Sequence, residues 1–279
     1  MEKILLAINP EKINTNTIEF ACYLANLTHS NLTAIFLEHT AGEQTPVLKT
    51  AFGGAYVETI LESDFPGKAD VNNRWQQNVY AFENACSNRG VISCIHRHKG
   101  VPTAEVIFES RFADMLIVDP EISFRDKPEV LPSSFVKEVL AKSECPVVVA
   151  PYSFNGIDNI LFAYDGSASS AFAIKQFTYL LPELSGKKIT ILQVDEHDDL
   201  PSIDNTKLRE LLQMHYGGIE FEFLHGKASD ELFGYLIKKK NVFVVMGAFG
   251  RNLISAIFKH STAEVLIKAV NLPIFIAHH

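Results

Sequence analysis

A chain of 279 residues that is 47% hydrophobic and 21% charged has the balance of a soluble globular protein long enough for two cores. Its formal net charge of −8, with no long basic run, argues against nucleic acid or an anionic membrane as partner, because both need a concentrated positive footprint. No apolar run reaches the ~18 residues of a membrane span, and the amino terminus enters a strand without a charged-then-apolar leader. The four cysteines (Cys22, Cys86, Cys94, Cys145) lack CxxC spacing and lie mostly in apolar runs, so they read as reduced core residues of a cytoplasmic protein.

Along the chain, short runs rich in Ile, Val and Phe alternate with helix-period segments. Strands are expected at 3–9, 31–38, 91–97, 114–119 and 145–149, and helices at 13–28, 69–89, 102–112 and 132–143. Pro151–Gly156 reads as a linker. Beyond it, strands are expected at 158–164, 187–194, 219–224, 241–246 and 273–277, and helices at 167–182, 201–216, 227–239 and 260–270. Runs such as "VFVVM" and "PVVVA" are apolar on both faces, as strands between two helix layers must be. The βαβα alternation predicts an α/β fold with two doubly wound parallel sheets.

The chain also reads twice. "KILLAINP" at 3–10 returns as "NILFAYDG" at 159–166, and "SSFVKEVLAKSECPVVVAP" at 133–151 returns as "HSTAEVLIKAVNLPIFIAH" at 260–278. The second pair aligns without a gap, setting Pro146 on Pro273, Val147 on Ile274 and Val149 on Ile276. A duplicated unit predicts two domains, 1–151 and 157–279. Between its second and third strands the first copy spends residues 39–90 where the second spends 195–218, an insertion of about 25–30 residues, largely within 40–68. A lid, a partner-binding loop or a surface decoration would each fit it.

In open α/β sheets ligands sit at the carboxyl ends of strands, where the strand order reverses. In the second copy the first strand ends in Asp165-Gly166-Ser167. The fourth runs into "GAFGRNLISAIFKHST", in which Gly247 and Gly250 precede His260-Ser261-Thr262 at a helix start. Two glycines let backbone amides approach an anion, and hydroxyls beside the unpaired N–H groups of a helix start add donors. These residues suit a phosphate cradle, with Asp165 placed to accept from a ribose or to hold a metal such as Mg²⁺.

A tandem βα repeat with "DGS" after strand one and a G-x2-G-x9-G-[ST] loop after strand four resembles the universal stress protein family along essentially the whole chain. The resemblance implies five parallel strands per repeat in the order 3-2-1-4-5, with the repeats paired as a pseudo-dimer, often through their last strands. It implies one ATP or AMP site in the second repeat, where Asp165, Gly247, Gly250 and Ser261 hold ribose and phosphates, Val194 lies by the adenine and Gly226 helps line the pocket. The third motif glycine is replaced by His260, whose Cβ opposes close backbone approach and whose ring offers a phosphate a proton or a positive charge. Arg251 is placed to pair with a phosphate or simply to be solvated.

The first copy departs further. Asn9-Pro10 stands for Asp165-Gly166, Asp119-Pro120 for Met246-Gly247, Ser123 for Gly250 and Ser133-Ser134 for His260-Ser261. Proline removes an amide donor and Asp119 opposes an anion, so this copy reads as a degenerate structural partner. Gly100 is its remnant of Gly226.

Other features read blandly. His96 and His98 alternate on one strand face, as two metal ligands would, but no third ligand is identifiable and no metal site is expected. Acidic "EHDD" at 196–199 suits a solvated loop or a divalent ion. "KKK" at 238–240 suits a helix C-terminus. Trp75 marks a contact surface or packs on the insertion. There is no G-x-S-x-G elbow and no Walker lysine, so turnover is not expected beyond that of a slow ATPase. The expectation is a stress-response regulatory protein that binds adenine nucleotide and an unidentified protein, and that could pair as a homodimer of tandem chains. The alternative is a nucleotide-free interaction scaffold working through the paired repeats and the insertion.

Overall fold

The computed structural model describes residues 1–39, 44–51, 54–61, 68–125, 127–195, 205–247 and 271–277. In the first half, strands β1 (Lys3–Ile8), β2 (Asn31–His39), β3 (Gln44–Ala51), β4 (Gly54–Leu61), β5 (Ser93–Gly100), β6 (Met115–Val118) and β7 (Val147–Val149) are joined by helices α1 (Thr15–Thr28), α2 (Lys68–Ser87), α3 (Pro102–Ser110) and α4 (Ser134–Lys142). In the second half, β8 (Asn159–Ala163), β9 (Lys188–Asp195), β10 (Ile219–His225), β11 (Val242–Met246) and β12 (Ile274–Ile276) accompany α5 (Ala168–Leu180), α6 (Thr206–Gln213) and α7 (Ala228–Leu236). The helix expected at 260–270 lies outside the described residues.

Each half has the expected order 3-2-1-4-5, and the two halves meet edge to edge. One ten-stranded sheet results, ordered β10-β9-β8-β11-β12-β7-β6-β1-β2-β5. All its neighbours are parallel except the central pair, β7 and β12, where Val147 faces Ile276, Val148 faces Phe275 and Val149 faces Ile274. The sequence repeat equates Val147 with Ile274 and Val149 with Ile276. Val147 thus faces Ile276 while its equivalent Ile274 faces Val149, the equivalent of Ile276, and this exchange is the mark of a two-fold, self-complementary contact.

Strand alternation divides the core between the sheet's faces. Ile4, Leu6 and Ile8 of β1 join a layer with α1, α2 and α5, while Leu5 and Ala7 join one with α3, α4 and α7. Both layers contain residues from both halves. Phe20 of α1 lies 5.0 Å from the Phe154 ring and 6.4 Å from that of Phe243 in β11, centre to centre. The expected linker is thus packed and tied: Asn271 accepts from the Ser153 N–H at 2.9 Å and donates to the Ser153 carbonyl at 2.9 Å.

Three sequence expectations shift. The insertion contains an antiparallel hairpin, β3–β4, forming a two-stranded sheet of its own rather than a plain loop. Trp75 is a core residue, 7% exposed, stacked under the Arg97 guanidinium at 3.5 Å, and does not mark a contact surface. Cys22, Cys86 and Cys145 are buried as expected, but Cys94 is exposed on β5, a sheet-edge strand. "KKK" follows the end of α7, where the Lys239 ammonium sits 4.0 Å over the Tyr235 ring.

Candidate functional site

The order 3-2-1-4-5 reverses between β8 and β11, so a crevice opens at their carboxyl ends. There a cleft fronting about 490 Å³ of open space is lined by Asp165, Ser167 and Ser170 after β8, Val194 of β9, Leu232 of α7 and Gly247 after β11, among others. The local sequence explains the geometry. Gly166 adopts φ 77°, which turns the chain sharply from β8 towards α5. The Asp165 carboxylate accepts the Ser167 N–H at 3.0 Å, and the Ser167 hydroxyl caps α5 by accepting the Ser170 N–H at 3.1 Å. Burial pushes the Asp165 carboxyl up, but hydrogen bonds from Ser167 and Ser170 outweigh it and hold the group below the ordinary carboxylate range. The anion is thus fixed at the mouth of the cleft.

Gly247 is needed for a different reason. A Cβ there would lie 2.6 Å from the Ser169 carbonyl carbon and the Ser170 nitrogen, so only a bare backbone lets the first turn of α5 sit against the end of β11. Of the residues singled out in the sequence, Asp165, Ser167, Val194 and Gly247 meet in this cleft, and Gly166 makes its turn. Gly226 is not among the lining residues. It follows β10 at φ 135°, with the Glu231 side chain where a Cβ would point. Gly250, Arg251, His260, Ser261, Thr262 and the acidic 196–199 lie outside the described residues.

The matching place in the first half is a smaller cleft, fronting about 270 Å³ of open space between Asn9, Lys12, Asn14, Thr17, Asp119 and Ile122, and its polar groups are engaged by the chain itself. Asp119 accepts from the Asn14 amide, from the Thr17 hydroxyl at 2.9 Å and from the Glu121 N–H at 2.7 Å. The Asn9 amide donates to the Ser123 carbonyl at 2.7 Å. Glu129 sits at the start of α4, where it accepts the Ser134 N–H at 3.2 Å and the Ser123 hydroxyl at 2.5 Å. Desolvation pushes the Glu129 carboxyl up, while Ser123 and Ser134 pull it down further, leaving it below its ordinary value. A built-in carboxylate therefore occupies the helix start that would otherwise attract an anion. Sequence reading named Ser123 and Ser134 but missed Glu129, whose role depends on a loop closing back on the helix.

Comparison with known proteins agrees with this architecture. The universal stress protein Slr1230 of Synechocystis is 30% identical over 133 residues, 46% of this chain and 45% of that protein. A universal stress protein of Archaeoglobus fulgidus has the same fold over 99% of this chain and 98% of its own, with a TM-score of 0.68. The chain is related to the universal stress proteins and has their fold. A structure assigned to the same family in Pseudomonas aeruginosa covers 100% of this chain and 93% of its own at a TM-score of 0.58. Both structures share 14% identity with the chain, so they bear on the fold alone. The match to Slr1230 spans about half the length of that universal stress protein. No protein-family model matches the chain.

Proposed function

We propose that this universal stress protein relative is a stress-response regulator that binds ATP or AMP, with Mg²⁺ where phosphates require it, in the cleft of its second half. The observation that carries the reading is the contrast between the halves. At equivalent places one half presents an open cleft with an ionised Asp165, a capped helix start and a glycine-permitted close approach. The other keeps a smaller cleft whose Asp119 is already engaged by Asn14, Thr17 and Glu121. In this reading 1–151 is the degenerate repeat and 157–279 the binding repeat. Asp165 receives the ribose hydroxyls, Val194 and Leu232 flank the base, and the loop carrying Gly250, Arg251, His260, Ser261 and Thr262 completes the phosphate end. Among the described lining residues, Asp165 and Tyr164 are the side chains that titrate, and Asp165 is engaged by its own turn, so binding with little turnover is the fitting role. Four free thiols suit the reducing cytoplasm.

The test is a titration of the full chain with fluorescent ATP in the presence of Mg²⁺. A hydrogen bond to a charged group is worth about 1.5–3 kcal/mol, so Asp165→Ala should weaken binding about 10–100-fold, while Asn9→Ala at the equivalent place should leave it unchanged. Absence of binding at millimolar ATP, or equal losses in both variants, would reject the site. The separate β3–β4 hairpin favours a second reading in which the chain acts as a nucleotide-free scaffold. Binding of a protein partner that survives Asp165→Ala and is lost on deleting 44–61 would support it.

A further inference from the structure

On the other end of the sheet, the first half carries a cluster unrelated to the cleft. His96 and His98 lie two apart on the edge strand β5 and face α3, while Arg97 between them points to Trp75 on the opposite face. From α3, Glu105 and Glu109 are four apart and so share one side of the helix. The third partner that the sequence could not identify is Glu109. Its Oε1 lies 2.8 Å from His96 Nδ1 and 3.0 Å from His98 Nε2, and its side chain is 12% exposed. The three ligand atoms all fall within 4.8 Å of one another. Lys3 takes the other oxygen of Glu109 at 3.6 Å, leaving Oε1 for the rings.

His98 stands between two carboxylates. Glu105 Oε2 lies 2.8 Å from His98 Nδ1, and Glu109 Oε1 lies 3.0 Å from Nε2 of the same ring. An imidazolium would donate to both, whereas a neutral imidazole has one N–H and leaves the other nitrogen for a cation. If Nδ1 donates to Glu105, Nε2 aims a lone pair at a carboxylate oxygen, an arrangement that a cation between them would turn from repulsive to bonding. A carboxylate on the far ring nitrogen is also the usual support of a metal-bound histidine, because it fixes the tautomer and raises the basicity of the ligating nitrogen.

We propose that His96 Nδ1, His98 Nε2 and Glu109 Oε1 form a site for a divalent transition ion, zinc above all, with Glu105 orienting His98. Imidazole nitrogen and carboxylate oxygen are ligands this ion takes. A tetrahedral site with bonds of about 2.0–2.1 Å sets its ligand atoms about 3.3–3.4 Å apart, so the two short N···O contacts open by about half an ångström when the ion enters. The fourth position is left to water or an incoming ligand. Two glutamates against one lysine favour a cation at the cluster.

The duplication supplies a control. Counting from the equivalent glycines Gly100 and Gly226, the second half has Glu222 for His96, Leu224 for His98, Glu231 for Glu105 and Tyr235 for Glu109. There Tyr235 hydrogen-bonds Glu222, and the same strand and helix form without the cluster. The fold does not require the histidines. An ion bridging β5 and α3 would clip the exposed sheet edge to the helix that covers it, and it does so independently of the nucleotide reading.

The experiment is zinc stoichiometry of the full chain, stripped with a chelator, dialysed, reloaded and passed through gel filtration, with cobalt as a spectroscopic substitute. One zinc per chain is expected. It should persist when His278 and His279 are deleted, fall at least tenfold in affinity in Glu109→Gln, and vanish in the double variant His96→Ala, His98→Ala. The visible band of four-coordinate cobalt should be lost with Glu109→Gln, a change that keeps the side chain's size. Circular dichroism confirms that each variant is folded. No zinc retained at micromolar concentration, loss on removing the terminal histidines alone, or an unchanged cobalt band in Glu109→Gln would each overturn the proposal.

Discussion

Glu129 and Asp165 show how one motif ground diverges at the level of single residues. Both carboxylates lie beside helix starts, and both are held below the ordinary range by hydrogen bonds that outweigh burial. Asp165 faces an open cleft, whereas Glu129 bridges Ser123 and Ser134. The consequence for pH follows from sign. A carboxyl with a depressed folded value contributes stability that is present above its unfolded value, near pH 4.3 for Glu, and is lost as pH falls through the folded value. The stability difference between the wild type and Glu129→Gln should therefore be full at pH 6 and shrink steadily below about pH 4. Urea midpoints measured between pH 6 and pH 3 check this; a difference that stays constant with pH would show that Glu129 is not held ionised.

At the level of elements, the strands that are apolar on both faces were legible in the sequence. MLIV of β6 and VFVVM of β11 are buried at every position, and each lies within a residue or two of its expected bounds. Helix starts were legible where Ser or Asn supplies a cap, as Ser133 does for α4 and Ser167 for α5. The hairpin β3–β4 was not, because Gln44–Ala51 and Gly54–Leu61 lack the apolar alternation of a half-buried strand, and only Gly53-Gly54 hinted at a turn. Glu109 escaped notice because its contact with His96 and His98 is set by how α3 folds over β5. The E-x-x-x-E spacing at 105–109 was the available signal. At Gly247, where phosphate approach was expected, the structure adds a steric demand from α5 that the sequence did not show. Gly247→Ala should cost about 2 kcal/mol or more, since its Cβ would meet backbone rather than a mobile side chain. Gly217→Ala, with nothing within 4 Å of the added carbon, should stay within about 0.5 kcal/mol. Equal denaturation midpoints for the two variants would remove the packing argument for Gly247.

At the scale of the molecule, the two halves of the sheet meet in a two-fold contact inside one chain. β7 and β12 are each three residues long and share one antiparallel register, a seam too short to join two independent bodies by hydrogen bonds alone. What joins them is apolar. Val148 and Phe275 at the centre of the seam are fully buried, Phe275 lies 5.3 Å from Phe177, and Phe20 reaches from α1 across the linker residue Phe154 to Phe243 in the other half. Because both core layers run through both halves, neither half can lose its packing without exposing the other's. The chain should therefore unfold in one cooperative transition, contrary to the stepwise behaviour common in chains built of two units. Removing a buried phenylalanine costs about 3–5 kcal/mol, and in a shared core that loss falls on the whole molecule. Phe20→Ala, although it lies in the first half, should lower a single calorimetric transition monitored by Trp75 fluorescence and by far-ultraviolet dichroism alike. Two transitions, with only the Trp75-reported one displaced, would show that the halves are thermodynamically separate and that the seam is a contact rather than a core.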